Sequence, residues 1–325
     1  MPSPLVVAEL VRSGFVEGHH YGSVVALDAA GDVTWSVGSV DAAIFPRSCN
    51  KPIQAWAMVR LGLDLPDDLL ALVCASHSGE PFHLLGVRSI LESVGLEVSA
   101  LQTPPDYPLD DAAREAVIRA GGSKDSLSMN CSGKHAGMLA TCVVNGWDTS
   151  TYRDPGHPLQ QAIHETFAQA TGEPVAAVGV DGCGAPLLSA SLIGLARAFR
   201  ALALGIDGLG QPDPAARRVA DAIRRHPANV SGTQRDEAIL LGAIPGAVGK
   251  AGAESSYAVA LSDGRAFALK TDDGAPRVRP VLMAEALRRS GVLDEPGVDG
   301  DAVRRTGRVE LLGGGLPVGE IRATF

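Results

Sequence analysis

Aromatic residues make up only 4% of this 325-residue chain, so a core must be built mainly from Ala, Val, Leu and Ile. No apolar run reaches the roughly 18 residues that a spanning helix needs, so no membrane span is expected. No basic cluster appears and the net charge is -9, which argues against nucleic acid and anionic membrane as partners. The start, Met1-Pro2-Ser3-Pro4-Leu5-Val6-Val7, lacks a basic segment followed by a long apolar one, so it does not read as an export signal. The five cysteines are odd in number and irregular in spacing. A disulfide framework is not expected, and a reducing cytoplasm fits.

Lysine is scarce too: five stand against twenty-three arginines. Three of the five sit in segments rich in reactive side chains: Lys51, Lys134 and Lys250. An arginine stays protonated at any ordinary pH. A lysine loses its proton when desolvated or crowded by positive charge, and then serves as a base or ligand. A retained lysine is therefore a candidate for work arginine cannot do, against the plainer alternative of a coding bias toward arginine. Lys124 and Lys270 fall outside these segments and read as surface charges.

Residues 5–12 read as a strand, and residues 23–27 and 33–37 as an antiparallel hairpin around Ala30-Gly31-Asp32. Helical spacing or strong helix formers mark residues 52–62, 66–75, 81–95, 110–120, 134–144, 157–170, 187–203 and 213–226. A short apolar stretch at 175–180 reads as a strand within that region. Residues 256–261 and 266–270 form a second hairpin, followed by a helix near 277–290 and a last strand near 319–324. Strands at both ends and helices between them predict an α+β fold. Its antiparallel sheet is assembled from both termini, with a helical portion inserted. No linker divides the chain, so residues 1–325 read as a single domain.

Ser48-Cys49-Asn50-Lys51-Pro52 ends a loop and opens a helix, since Pro52 is tolerable only in a first turn. That places Ser48 at or next to the N-cap, with Lys51 within reach of its hydroxyl. A desolvated lysine can activate a serine for attack on a carbonyl. A capping serine beside an unrelated lysine explains the same letters. Ser128-Met129-Asn130 and Lys250-Ala251-Gly252 follow later. The order Ser-x-x-Lys, Ser-x-Asn, Lys-small-Gly is that of penicillin-binding serine acyl-transferases. Cys131 and Cys183, with Lys, His and Asp nearby in sequence, offer N and S donors suited to Zn²⁺; single buried cysteines are the alternative.

Taken together, six motifs in order resemble the rhizobial-type L-asparaginases, the asparaginase II family. They are Pro46-Arg47-Ser48-Cys49-Asn50-Lys51-Pro52, Ala75-Ser76-His77-Ser78-Gly79-Glu80, Asn130-Cys131-Ser132-Gly133-Lys134-His135, Val180-Asp181-Gly182-Cys183-Gly184, Gly232-Thr233, and Lys250-Ala251-Gly252-Ala253-Glu254. The resemblance implies a serine β-lactamase and glutaminase-like fold, a homodimer, and hydrolysis of L-asparagine to L-aspartate and ammonia. It implies two Ser–Lys pairs, Ser48 with Lys51 and Ser76 with Lys250, Ser78 being an alternative to Ser76. It implies a zinc site held by Cys131, Lys134 and Cys183, with Asp181 near the metal and a water completing the shell. Arg47, His135 and Asp181 are the implied substrate contacts. Ser255 stands where glycine is expected.

On this reading Ser48 attacks the amide carbon while Lys51 takes its proton, and Ser76 with Lys250 shuttles protons to the departing nitrogen. Two other readings compete. One is a penicillin-binding or β-lactamase-like serine acyl hydrolase, against which stand the apparent lack of an export signal and the cytoplasmic pattern of thiols. The other is a non-catalytic ligand-binding module on the same fold. Asparagine and glutamine are left unranked, because one methylene is worth only about 1–3 kcal/mol of discrimination.

Overall fold

The structure, a computed structural model, describes residues 5–325. Met1–Pro4, part of the segment read above for an export signal, lie outside the described residues. Three strands open the chain: β1 (Leu5–Arg12), β2 (Phe15–Leu27) and β3 (Val33–Val37). Six helices follow: α1 (Lys51–Arg60), α2 (Asp67–Val73), α3 (Pro81–Glu92), α4 (Asp111–Arg119), α5 (Ser132–Asn145) and α6 (Pro158–Thr171). A small two-stranded ribbon, β4 (Val178–Val180) and β5 (Pro186–Leu188), precedes α7 (Leu192–Leu204), α8 (Pro214–Arg225), α9 (Pro227–Val230) and α10 (Asp236–Ala243). The chain closes with β6 (Val248–Gly252), β7 (Ser256–Ala260), β8 (Ala266–Thr271), α11 (Arg279–Arg289), α12 (Gly300–Thr306), β9 (Val309–Gly313) and β10 (Leu316–Ala323).

The main sheet runs β6-β7-β8-β2-β1-β10-β9, with β3 also paired to β2, and its pairings are antiparallel. The first strand pairs with the last, Leu10 opposite Ile321, which closes both termini into one sheet. The α+β architecture expected from the sequence is the one observed.

Burial differs across the sheet. All five residues of β7 are buried, as are Ala266–Leu269 of β8, which matches their continuous apolar lettering. Helix α7 packs on β2, β7 and β8, and α11 packs on β8, β2 and β10. Strands β9 and β10 are mostly exposed, with Leu311 and Ile321 turned inward. The core is aliphatic, with Trp56, Tyr152, Tyr257, Phe167, Phe199 and Phe267 as its large rings.

Two of the differences from the sequence expectation bear on the site. The apolar run 187–203 is not one helix. Its first residues form β5, and α7 starts at Leu192, where the Ser191 hydroxyl accepts from the Gly194 N–H. A short buried apolar run carries no period that separates strand from helix. Ser48 does not cap α1. It lies inside a 3-10 turn, Arg47–Asn50, and Asn50 is the N-cap, while Pro52 does fall in the first turn of α1.

Candidate active site

Four elements converge on one buried region: the start of α1, the loop after α2, the start of α5 and strand β6. Helices α2 and α5 come together because Gly133 has no side chain. A Cβ there would lie 2.5 Å from the Leu72 carbonyl oxygen. That close approach sets Cys131 beside Ala75 and Ser76, the three sharing Lys51 Nζ. The loop after α2 is held on two sides. The backbone N–H groups of Ser76, His77 and Ser78 donate to the carbonyls of Val230, Asn130 and Ser231. Glu80 accepts from the Thr233 N–H and hydroxyl at 2.9 and 2.8 Å, so two of the motifs read separately in the sequence are joined.

Lys51 is buried, and its three N–H groups have three partners. Nζ donates to the Ala75 carbonyl at 2.6 Å, to Ser76 Oγ at 2.9 Å and to Cys131 Sγ at 3.1 Å. The pairing inferred from the sequence, Ser48 with Lys51, is not the one formed: among the described residues no hydrogen bond joins their side chains. Residues 47–50 wind as a tight 3-10 turn, and the long Lys51 side chain reaches across to the α2 loop instead. Ser76 retains partial exposure, whereas Ser48 and Ser78 are buried. Of Ser76 and Ser78, it is Ser76 that meets the lysine.

For the second expected pair, Ser76 with Lys250, no hydrogen bond joins the two side chains among the described residues. Lys250 and Glu237 are both 0% exposed, and Nζ donates to both carboxylate oxygens at 2.8 and 3.0 Å. Its third N–H goes to the Ala251 carbonyl at 2.9 Å. Burial presses the Lys250 amine below the ordinary lysine value and Lys51 adds to that, while Glu237 opposes it. The physical reason for the repairing is plain: a fully buried ammonium needs an anion, and a neutral serine does not supply one.

Cys131, Lys134, Cys183 and His135 form the third group. Lys134 Nζ donates to Cys183 Sγ at 3.0 Å. Cys131 close by, with Lys134 and His135, draws the Cys183 thiol far down, against the effect of burial. The neighbouring Cys183 and burial hold Cys131 well above the usual thiol range, and the Cys131 thiol donates to Asn130 Oδ1 at 3.1 Å. Burial works against the Lys134 ammonium, yet Cys183, Cys131 and Asp181 raise it above its ordinary value. Burial pushes His135 down to about 4. Its Nδ1 meets the Tyr152 hydroxyl at 2.6 Å, and its Nε2 faces Cys183 without a bond of good geometry.

Among the described residues no three His, Cys, Asp or Glu side chains form a metal cluster. Two thiols and a lysine amine nonetheless meet here, in a buried spot with an unpartnered imidazole nitrogen beside them. Such S and N donors suit zinc, and the residues present fit it.

At the rim, Arg47 Nε donates to Asp181 Oδ1 at 2.8 Å, and Nη1 lies 3.5 Å from Glu254. Arg47, Glu254 and Ser255 all hold positive φ, at 53, 54 and 53 degrees. That explains why glycine is expected at 255: a side chain in this region is strained by about 1–2 kcal/mol. Lys270 is not a plain surface charge. It is partly buried and donates to the Glu254 carbonyl at 2.8 Å, pinning this turn. Lys124 does sit at the surface, paired with Asp106 at 3.0 Å.

Sequence reasoning missed Glu237, Tyr152 and Lys270. Glu237 follows Asp236 in the first turn of α10, where acids commonly complement the helix dipole. Nothing local says that Glu237 faces inward. Its only signal is the apolar run Ala238-Ile239-Leu240-Leu241 directly behind it.

Comparison with known proteins adds the following. A family model described as L-asparaginase II matches residues 8–323. No curated protein matches the sequence. Among solved structures, a β-lactamase from Mycobacterium bovis is similar at 16% identity and TM-score 0.44, over 82% of this chain and 94% of that one. A Bacillus glutaminase is similar at 12% identity and TM-score 0.37, over 83% and 91%. A hydrolase with promiscuous acyltransferase activity is similar at 13% identity and TM-score 0.42, over 82% and 93%.

Proposed function

The chain belongs to the L-asparaginase II family, and from that premise we propose that it hydrolyses the side-chain amide of L-asparagine to L-aspartate and ammonia. The observation that carries the reading is the Lys51 Nζ to Ser76 Oγ contact of 2.9 Å, at the one serine of the α2 loop that meets both a lysine and solvent.

Ser76 is the nucleophile and Lys51 its base. A neutral amine keeps two N–H groups and one lone pair. The Ala75 carbonyl and Cys131 Sγ accept from the two N–H groups, which turns the lone pair to Ser76. The Ser76 oxygen bonds to the amide carbon as its proton passes to Lys51. The carbon–nitrogen bond then breaks, and the leaving nitrogen takes that proton and departs as ammonia. Water cleaves the resulting ester with Lys51 again accepting a proton, and the serine is restored.

Ser48 lies at the same end of α1 and takes no proton role in this scheme. Arg47 supplies the cation for the substrate's α-carboxylate, and Asp181, its present partner, an anion for the α-ammonium. His135, neutral near pH 7, walls the site next to Cys183. Cys131, Lys134 and Cys183 would hold zinc, which supplies fixed positive charge for polarising a carbonyl. Five free, buried cysteines among the described residues support a reducing compartment such as the cytoplasm. The homodimer implied by the family is part of the same proposal, and sedimentation tests it.

The test is ammonia release from L-asparagine and L-glutamine, with and without added zinc. Release from L-asparagine, faster than from L-glutamine, is expected. No release from either amide overturns the reading.

A further inference from the structure

Beside Cys183 a short buried chain of groups has proton positions that follow from counting donors. Tyr152, in the loop before α6, and His135, in the first turn of α5, are both fully buried. The Gln102 backbone N–H donates to the Tyr152 hydroxyl oxygen at 3.2 Å. Gln102 is itself held by Arg153, whose Nε donates to its side-chain oxygen at 2.7 Å and whose Nη1 donates to its carbonyl at 3.0 Å. The Tyr152 hydroxyl has one hydrogen to give, and among the described residues its acceptor is His135 Nδ1, at 2.6 Å. A neutral imidazole carries one N–H. If Nδ1 held it, the phenol hydrogen would be buried without an acceptor, which protein interiors avoid. Nδ1 therefore accepts, and the ring proton sits on Nε2, the nitrogen that faces Cys183. Lys134 Nζ already donates to the same sulfur at 3.0 Å, so Cys183 is met by N–H groups from two residues, an arrangement suited to a thiolate.

We propose that Tyr152 is a positioning residue that fixes the tautomer of His135, so that His135 presents an N–H to Cys183 and stays out of the metal's ligand set. The metal part of this rests on the zinc reading above; the tautomer does not. An imidazole nitrogen with a bare lone pair binds a metal, whereas one that carries hydrogen can only donate. Partners outside the ligand set orient the ligands and tune the charge they place on a metal. Here that work runs from Gln102 through Tyr152 and His135 to Cys183. Tyr152 is well placed to hold its end still. Its ring meets His135 edge-on with centroids 5.5 Å apart, and its backbone carbonyl accepts from Gln160 Nε2 at 2.7 Å.

Histidine labelled with ¹⁵N reports which ring nitrogen carries the proton, and His135→Gln assigns the signal among the eight histidines. In the metal-free wild type the proton is expected on Nε2; a proton on Nδ1 overturns the proposal. Tyr152→Phe keeps the ring and removes the donor to Nδ1. The Nε2–H form should then lose its dominance, and zinc affinity, measured by competition with a chelating dye, should fall by about 10–100-fold. An unchanged tautomer or an unchanged zinc Kd overturns the proposal. His135→Gln separates this role from packing, because its amide N–H stands in for Nε2–H and has no tautomer to lose. Its zinc affinity should stay near the wild-type value, while His135→Leu should lose as much as Tyr152→Phe. In the His135→Gln background Tyr152→Phe should cost little more; a second loss of full size there makes Tyr152 a packing residue and overturns the proposal. If Tyr152→Phe fails to fold, the wild-type tautomer and the two His135 variants still decide, and equal zinc affinity in His135→Gln and His135→Leu overturns the proposal. A wild type that takes up no zinc while its proton sits on Nε2 sinks the zinc reading instead, so the two failures are distinguishable.

Discussion

Lys51 Nζ donates to Ser76 Oγ at 2.9 Å across twenty-five positions of sequence, and its other two N–H groups go to the Ala75 carbonyl and Cys131 Sγ. The lysine is thereby aimed by acceptors on two different elements, the α2 loop and the start of α5. When the amine is neutral, the Ala75 carbonyl and Cys131 Sγ take its two N–H groups and the lone pair is left to Ser76 Oγ. The chemistry of the site follows from that geometry.

Lys51→Arg is expected to abolish turnover, by a factor of roughly 10²–10⁴ or more, because a guanidinium does not give up its proton. Ammonia release from L-asparagine measures it, and circular dichroism checks that the fold is kept. Asparagine hydrolysis at the wild-type rate in this variant removes Lys51 as the base.

Gly133→Ala tests the contact that brings α5 to α2. The added Cβ would fall 2.5 Å from the Leu72 carbonyl oxygen, which cannot move without shifting the α2 backbone, and 2.9 Å from the Leu72 Cγ. A loss of about 1–3 kcal/mol is expected, read as a lower Tm and denaturant midpoint. Because the same approach sets Lys51 against Ser76 and Cys131, activity should fall further than stability alone explains.

Cys131→Ser should lower the zinc retained after dialysis, measured by elemental analysis of the purified protein. The substitution replaces a soft sulfur donor by a hydroxyl that zinc holds poorly. Metal content equal to the wild type removes Cys131 from the ligand set.

Buried His77 sets a pH dependence of stability. Burial, with His83 and Lys51 nearby, holds it well below the usual imidazole value. Its Nε2 meets Ser132 Oγ at 2.8 Å. Between the folded value and about 6.5 the unfolded chain binds a proton that the folded chain refuses, so stability is present above that range and falls on acidification. His77→Asn should flatten the decline of Tm below about pH 6.5. An unchanged slope shows that His77 is not the group responsible.

Much of this was legible from the sequence, for physical reasons. The closure of both chain ends into one sheet follows from strand patterns at residues 5–12 and 319–324 with helices between. The motifs come together in space: Lys51, Ser76, Cys131, Lys134, Cys183 and Lys250 all lie in or beside one buried region. What spacing did not give was pairing. A three-residue interval suggested Ser48 with Lys51, yet the 3-10 turn at 47–50 and the length of a lysine side chain let it reach a loop twenty-five residues on. Glu237 was invisible because an acid in a first helical turn reads as solvent-facing, and only the tertiary fold shows that this one is enclosed with Lys250. The strain at Glu254 and Ser255 was half visible, through the serine standing where glycine was expected.

The most direct test of the central claim compares Ser76→Ala with Ser48→Ala in a quenched reaction with L-asparagine, following ammonia release and the serine that carries the acyl group by peptide mass mapping. The account predicts an acyl group on Ser76 in the wild type and none in Ser76→Ala, whose turnover is lost, while Ser48→Ala still acylates at Ser76. An acyl group mapped to Ser48, with Ser76→Ala still forming it, would contradict the account.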